Sequence, residues 1–105
     1  MRRITVQCGI GEDKAGCAIE SQRARDCLVA IHRFAGDLYG GVTVYRHVGS
    51  WVDGNGKLVT EYGITFQVVT DSDSDGSVFA VFIRDTFNQN SVVLTVEENV
   101  NAQFI

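Results

Sequence analysis

The apolar positions of this chain switch between a period of two and a period near 3.6, and the switches mark its elements. Ile4, Val6, Cys8 and Ile10 alternate with Thr5 and Gln7, which predicts a strand with one buried face. Gly9, Gly11 and Gly16 then punctuate a charged loop. From Ser21 the spacing lengthens: Ala24, Cys27, Leu28, Ile31, Ala35 and Leu38 recur at steps of three and four, the stripe of an amphipathic helix. Ser21 is its expected N-cap, and Gly40-Gly41 lies just past its end.

Residues 42–52 return to the strand period, with Val42 and Val44 on one face and Thr43, Tyr45 and His47 on the other. Asp53-Gly54-Asn55-Gly56 is a hairpin signal, because Asn and Gly tolerate positive φ. A strand over 58–70 follows, with Leu58, Tyr62, Ile64, Phe66 and Val68 as its apolar face and Glu61, Thr65 and Gln67 opposite. After a polar loop from Asp71 to Ser77, Val78, Phe79, Phe82, Ile83 and Phe87 fit a second helix. Val92, Leu94 and Val96 belong to a last strand over 91–97.

The order is β-α-β-β-α-β, and two helices can cover only one face of a four-stranded sheet. The expected fold is α+β: a ferredoxin-like βαββαβ sandwich, a four-stranded antiparallel sheet with two helices on one face. The other face carries Thr5, Gln7, Thr43, Tyr45, Glu61, Thr65, Gln67, Val93 and Thr95. It is neither polar nor core-like, and a second subunit is its expected cover.

With 105 residues the chain is expected to be one domain over 1–105. A net charge of −4 argues against non-specific binding to nucleic acid or an anionic membrane; Arg23, Arg25 and Arg33 read as a solvated helix face. No stretch reaches the length of a membrane span, and Met1-Arg2-Arg3-Ile4 leads into Gly9 too soon for a signal peptide. The three cysteines Cys8, Cys17 and Cys27 include no C-x-x-C pair, so neither a disulfide framework nor a zinc site is expected. Reduced thiols fit a cytoplasmic setting.

Asp71-x-Asp73-x-Asp75-Gly76 opens like an EF-hand loop, but the twelfth position, where a bidentate Glu is needed, is Phe82. A helix-entry loop is the expected reading, with no metal. Gly9-x-Gly11-x-x-x-x-Gly16 lacks the dinucleotide spacing, and Glu12 and Asp13 would repel a phosphate; the same acids suit a flexible lid over a cationic ligand. His32 and His47 have no partner at ligand or triad spacing and read as surface or satisfied histidines. Glu61 stands out as a carboxylate inside a strand, where Glu is disfavoured. Trp51 lies across the hairpin, and a Trp face attracts cations. The pair fits a positively charged small molecule.

Leu38-Tyr39-Gly40-Gly41-Val42, then Gly49-Ser50-Trp51, then Glu61, and finally Gln89-Asn90-Ser91-Val92-Val93-Leu94 resemble the small bacteriophage enzymes that degrade S-adenosylmethionine. The resemblance covers about 38–61 and 89–94. Where those enzymes carry a tyrosine after the glycine, this chain has Trp51, which has no phenolic hydroxyl; that role would pass to Tyr45 or Tyr62. Gly41 to Val44, Gly49 to Trp51 and Gly56 to Glu61 also resemble small ferredoxin-like domains of unknown function.

The phage resemblance implies a lyase without a cofactor. The substrate's carboxylate attacks its own γ-carbon and expels methylthioadenosine, leaving homoserine lactone. It implies a homotrimer with sites between subunits, in the host cytoplasm, blunting methylation-dependent restriction. On that model Glu61 is catalytic and holds the substrate's ammonium or sulfonium, Gln89 hydrogen-bonds the ligand, Trp51 or Tyr45 gives an apolar wall, and Tyr39 lines the site. Two other readings stand beside it: a phage-type protein that sequesters a nucleotide-like metabolite, and an interaction module using the open sheet face.

Overall fold

A computed structural model describes residues 1–105. The elements run β1 (Arg2–Gly9), α1 (Ser21–Tyr39), β2 (Thr43–Val52), β3 (Leu58–Thr70), α2 (Ser77–Thr86) and β4 (Val93–Glu97). The sheet order is β2-β3-β1-β4, and every pair is antiparallel. This is the ferredoxin-like arrangement expected from the sequence. No helix is long and apolar enough to cross a membrane.

The core follows the two periodicities. Ile4, Val6 and Cys8 of β1 and Ile64, Phe66 and Val68 of β3 meet Cys27, Ile31 and Ala35 of α1 and Phe79, Ala80 and Ile83 of α2. Phe79 is its aromatic hub: Tyr39 and Phe66 meet it edge-on, at centroid distances of 5.6 and 6.5 Å. Phe34 stacks on Phe82 at 4.1 Å.

Several expectations need correction. The α1 N-cap is Glu20, not Ser21, and it supplies no side-chain cap. The helix ends on Gly40 at φ 87°, where its N–H donates to the Gly36 carbonyl; a left-handed residue here favours glycine. In α2, Val78 is exposed and Ala80 takes the buried position. Most consequential, Leu58 and Tyr62 are 65% and 68% exposed rather than core. β1 pairs with β3 only from Gly63 onward. The stretch Leu58–Tyr62 ladders with Val48–Val52 as a two-stranded ribbon, and on its other edge only the Ile10 N–H reaches it, donating to the Tyr62 carbonyl. Its apolar positions Val48, Val52, Leu58 and Tyr62 share one face that nothing in this chain covers. The turn at its tip is held by Asp53, whose Oδ1 accepts the Asn55 and Lys57 N–H groups, with Gly56 at φ 76°.

The acidic loop before α2 is tied by three of its own side chains. Ser72, Ser74 and Asp75 accept from the N–H groups of Ser74, Gly76 and Ser77. The Ser77 N–H, followed by the Ser77 hydroxyl, holds the Asp75 carboxyl below its usual range.

Candidate active site

The open sheet face contains a floor without side chains. Gly9 of β1 is paired with Gly63 of β3, which in turn faces His47 of β2. Neighbouring side chains lie across both glycines. A Cβ at Gly9 would stand 2.6 Å from Glu61 Cδ, and one at Gly63 would stand 2.6 Å from His47 Cε1. Glycine is required here by close approach rather than by backbone conformation. His47 Nδ1 shares a 2.7 Å hydrogen bond with Oγ1 of Thr65. Thr65 is fully buried, although it lies on the face expected to be open.

Above this floor is a cavity of about 490 Å³, within the range of small-ligand sites. The hairpin supplies His47, Gly49, Trp51 and Glu61; β1 supplies Gln7 and Gly9. The loop after β1 supplies Asp13 and Lys14, and residues 89–93 before and within β4 close the far side. Trp51 is 48% exposed, so part of its ring is free to meet a ligand. It also borders a smaller adjoining hollow with Glu12 and Tyr62.

The glycine loop is tied down, not a flexible lid. Asp13 Oδ1 accepts the N–H groups of Ala15 and Cys17 at 2.9 and 3.0 Å, and Oδ2 pairs with Arg23 at 3.1 Å. Its side chain is only 6% exposed. The Cys17 N–H, with help from Arg23 and the Ala15 N–H, holds the Asp13 carboxyl below the usual carboxylate range. Asp13 is therefore committed to the fold and unavailable to a cationic ligand. The Lys14 N–H donates to the Asn88 carbonyl at 2.8 Å, and Gln89 Nε2 donates to the Glu12 carbonyl at 2.8 Å.

Glu61, Trp51 and Gln89 are thus brought together. The Gln89 amide nitrogen is already engaged by Glu12 and Phe87 carbonyls, so its structural work is to strap the loop. Tyr45 sits further along the same face of β2, outside the cavity lining. Tyr39 is elsewhere: its ring packs on Phe79, its hydroxyl is 3.3 Å from Ser74 Oγ, and it borders a separate groove with Gly40 and Phe104. His32 is exposed on α1. His47 and Lys14 are the site residues that sequence reasoning missed. His47 had a usable signal: counting pairs outward from the Asp53–Gly56 turn places it opposite Gly63.

Cys8 lies under the floor with no exposure. Burial, reinforced by the Glu61 charge, pushes its thiol up to about 12, which rules it out as a nucleophile at neutral pH.

No family model matches this chain. No curated protein matches it either. Among solved structures it is similar to a phage SAM lyase in complex with S-methyl-5′-thioadenosine, with a TM-score of 0.63 at 16% identity over 92% of this chain and 80% of that one. The phage SAM lyase in its apo state gives 0.59 at 20%, over 91% and 78%. The periplasmic divalent cation tolerance protein CutA from Archaeoglobus fulgidus gives 0.62 at 10%, over 98% and 88%. The shared property is the fold.

Proposed function

We propose that this protein is an S-adenosylmethionine lyase that forms methylthioadenosine and homoserine lactone. The observation that carries the reading is Glu61: a carboxylate with no cation paired to it, laid over Gly9 in a cavity walled by Trp51. The fold is the one found in the phage SAM lyase, and the resemblance in segments 38–61 and 89–94 points the same way.

The chemistry asks little of the scaffold. A substrate carboxylate oxygen bonds to the γ-carbon as the carbon–sulfur bond breaks, and that electron pair stays on sulfur. The products are a neutral thioether and a lactone that keeps its ammonium. No proton moves, and a sulfonium needs no activation to leave. Acceleration comes from holding the chain of the substrate in its ring-closing shape and from excluding water as opposite charges are consumed. The ammonium keeps its charge throughout, so Glu61 serves best there. A carboxylate against the sulfonium would stabilise the reactant more than the transition state.

The hairpin that walls the cavity also carries, on its other face, the uncovered Val48, Val52, Leu58 and Tyr62, an apolar strip for another subunit to bury beside the cavity. We infer that a homotrimer closes it, in the cytoplasm of a phage-infected host, where loss of the methyl donor would counter restriction. Incubation with S-adenosylmethionine should yield methylthioadenosine and homoserine lactone by mass-detected chromatography, and Glu61→Gln should abolish both while leaving the melting curve intact. Undiminished product from that variant would sink the assignment, as would a monomer mass by light scattering for the between-subunit site.

One observation favours a second reading, sequestration without turnover. No tyrosine lines the main cavity, and Trp51 has no hydroxyl to offer. A thermal shift with S-adenosylmethionine and no product would select it.

A further inference from the structure

The cavity contains a charge that neither Glu61 nor Trp51 explains. Its ionisable side chains are Asp13, Lys14, His47 and Glu61. Asp13 is turned into the loop and neutralised by Arg23. His47 is bonded to Thr65. That leaves Glu61 on the sheet as the carboxylate with no ion-pair partner and Lys14 on the loop as the ammonium with none, since Lys14 has no acid against it.

Lys14 is not on a loose segment. Its own N–H is anchored on Asn88, the preceding residue is fixed at three points, and Gln89 holds the Glu12 carbonyl. A lysine is free to sample many directions on a mobile loop; here its backbone is fixed at the rim of the cavity. A site with one anion and one cation on separate elements matches a zwitterion, a molecule with an ammonium at one place and a carboxylate at another.

We propose that Lys14 binds the α-carboxylate of an amino-acid ligand while Glu61 takes its ammonium, so that the site selects the zwitterionic end of S-adenosylmethionine. The inference rests on the lyase reading above and adds to it the group that recognises the carboxylate. Because that carboxylate loses its charge in the reaction, a lysine beside it strengthens substrate binding more than it lowers the barrier. Lys14 is thus a specificity residue, and its removal should appear in KM rather than kcat.

Decarboxylated S-adenosylmethionine provides the test. It keeps the sulfonium and the ammonium, cannot lactonise, and so acts as a competitive inhibitor. In Lys14→Met, KM for S-adenosylmethionine should rise about tenfold, the loss of one charge-assisted contact, while Ki for the decarboxylated compound stays as in wild type. Lys14→Arg should recover most of the lost affinity. An unchanged KM in Lys14→Met, or a Ki that rises in parallel with KM, overturns this inference and leaves the lyase standing. A wild-type protein that neither converts nor binds S-adenosylmethionine overturns both.

Discussion

The carboxylate of Glu61 occupies the space that a side chain would take at Gly9, on the neighbouring strand. The two positions are coupled although they lie far apart in sequence. Gly9→Ala should displace a flexible carboxylate without touching the core. The expected outcome is a loss of about 100-fold in kcat/KM, the scale of an ångström-size misplacement, with little change in melting temperature. Gly63→Ala differs, because its Cβ would meet both the His47 ring and the Cys8 carbonyl at 2.8 Å. Overpacking against backbone should destabilise the fold by about 1–3 kcal/mol. Denaturant melts of the two variants side by side check the contrast; equal stability losses would refute it.

The Asp13 staple carries a pH signature. Its folded pKa lies below the unfolded value of about 3.9, so between the two the folded protein binds fewer protons. The stability that Asp13 adds is complete above about pH 4 and fades as the pH falls through the folded pKa. Wild type should melt higher than Asp13→Asn at pH 7, and the gap should narrow on acidification below about pH 4. Asp75 is shifted the same way but is present in both proteins, so it cancels. A gap of constant width would mean that Asp13 acts as a neutral hydrogen-bond acceptor only.

The three thiols should separate sharply. Cys17 is exposed, whereas Cys8 and Cys27 are buried and burial raises both thiols, Cys8 to about 12. A thiol reagent at pH 8 should label only Cys17 on the native protein and all three cysteines in denaturant. Rapid native labelling of Cys8 would show that the site floor opens.

Tyr39 tests the boundary of the site. Its ring belongs to the Phe79 cluster and its hydroxyl to Ser74. Tyr39→Phe should cost about 0.5–1.5 kcal/mol at most, the net worth of one hydrogen bond, and should leave kcat/KM within about twofold. A large kinetic loss would return Tyr39 to the site.

The face of each strand was legible from the alternation of its residues, and so was the element order. What alternation does not reveal is how far along a strand the helices reach. Leu58 and Tyr62 have the same parity as Ile64 and Phe66, yet lie beyond the last turn that could cover them. Glu61 was visible because a charge inside a strand is a local anomaly. Asp13 was not: its carboxylate reads the same in sequence whether it faces a ligand or the backbone of its own loop. His47 and Lys14 became site residues only once strand register and loop anchoring placed them over the same floor.

The sheet order also governs how the molecule is assembled in time. β1 is an inner strand, yet its partners β3 and β4 come third and fourth in the order of strands. The β2–β3 hairpin is local, whereas pairing β1 with β3 closes a loop over everything between positions 9 and 63. Non-local pairing of this kind slows folding relative to a helical bundle of equal size. The Gly9–Gly63 floor is created by that pairing, so the cavity is built on a contact between distant parts of the chain.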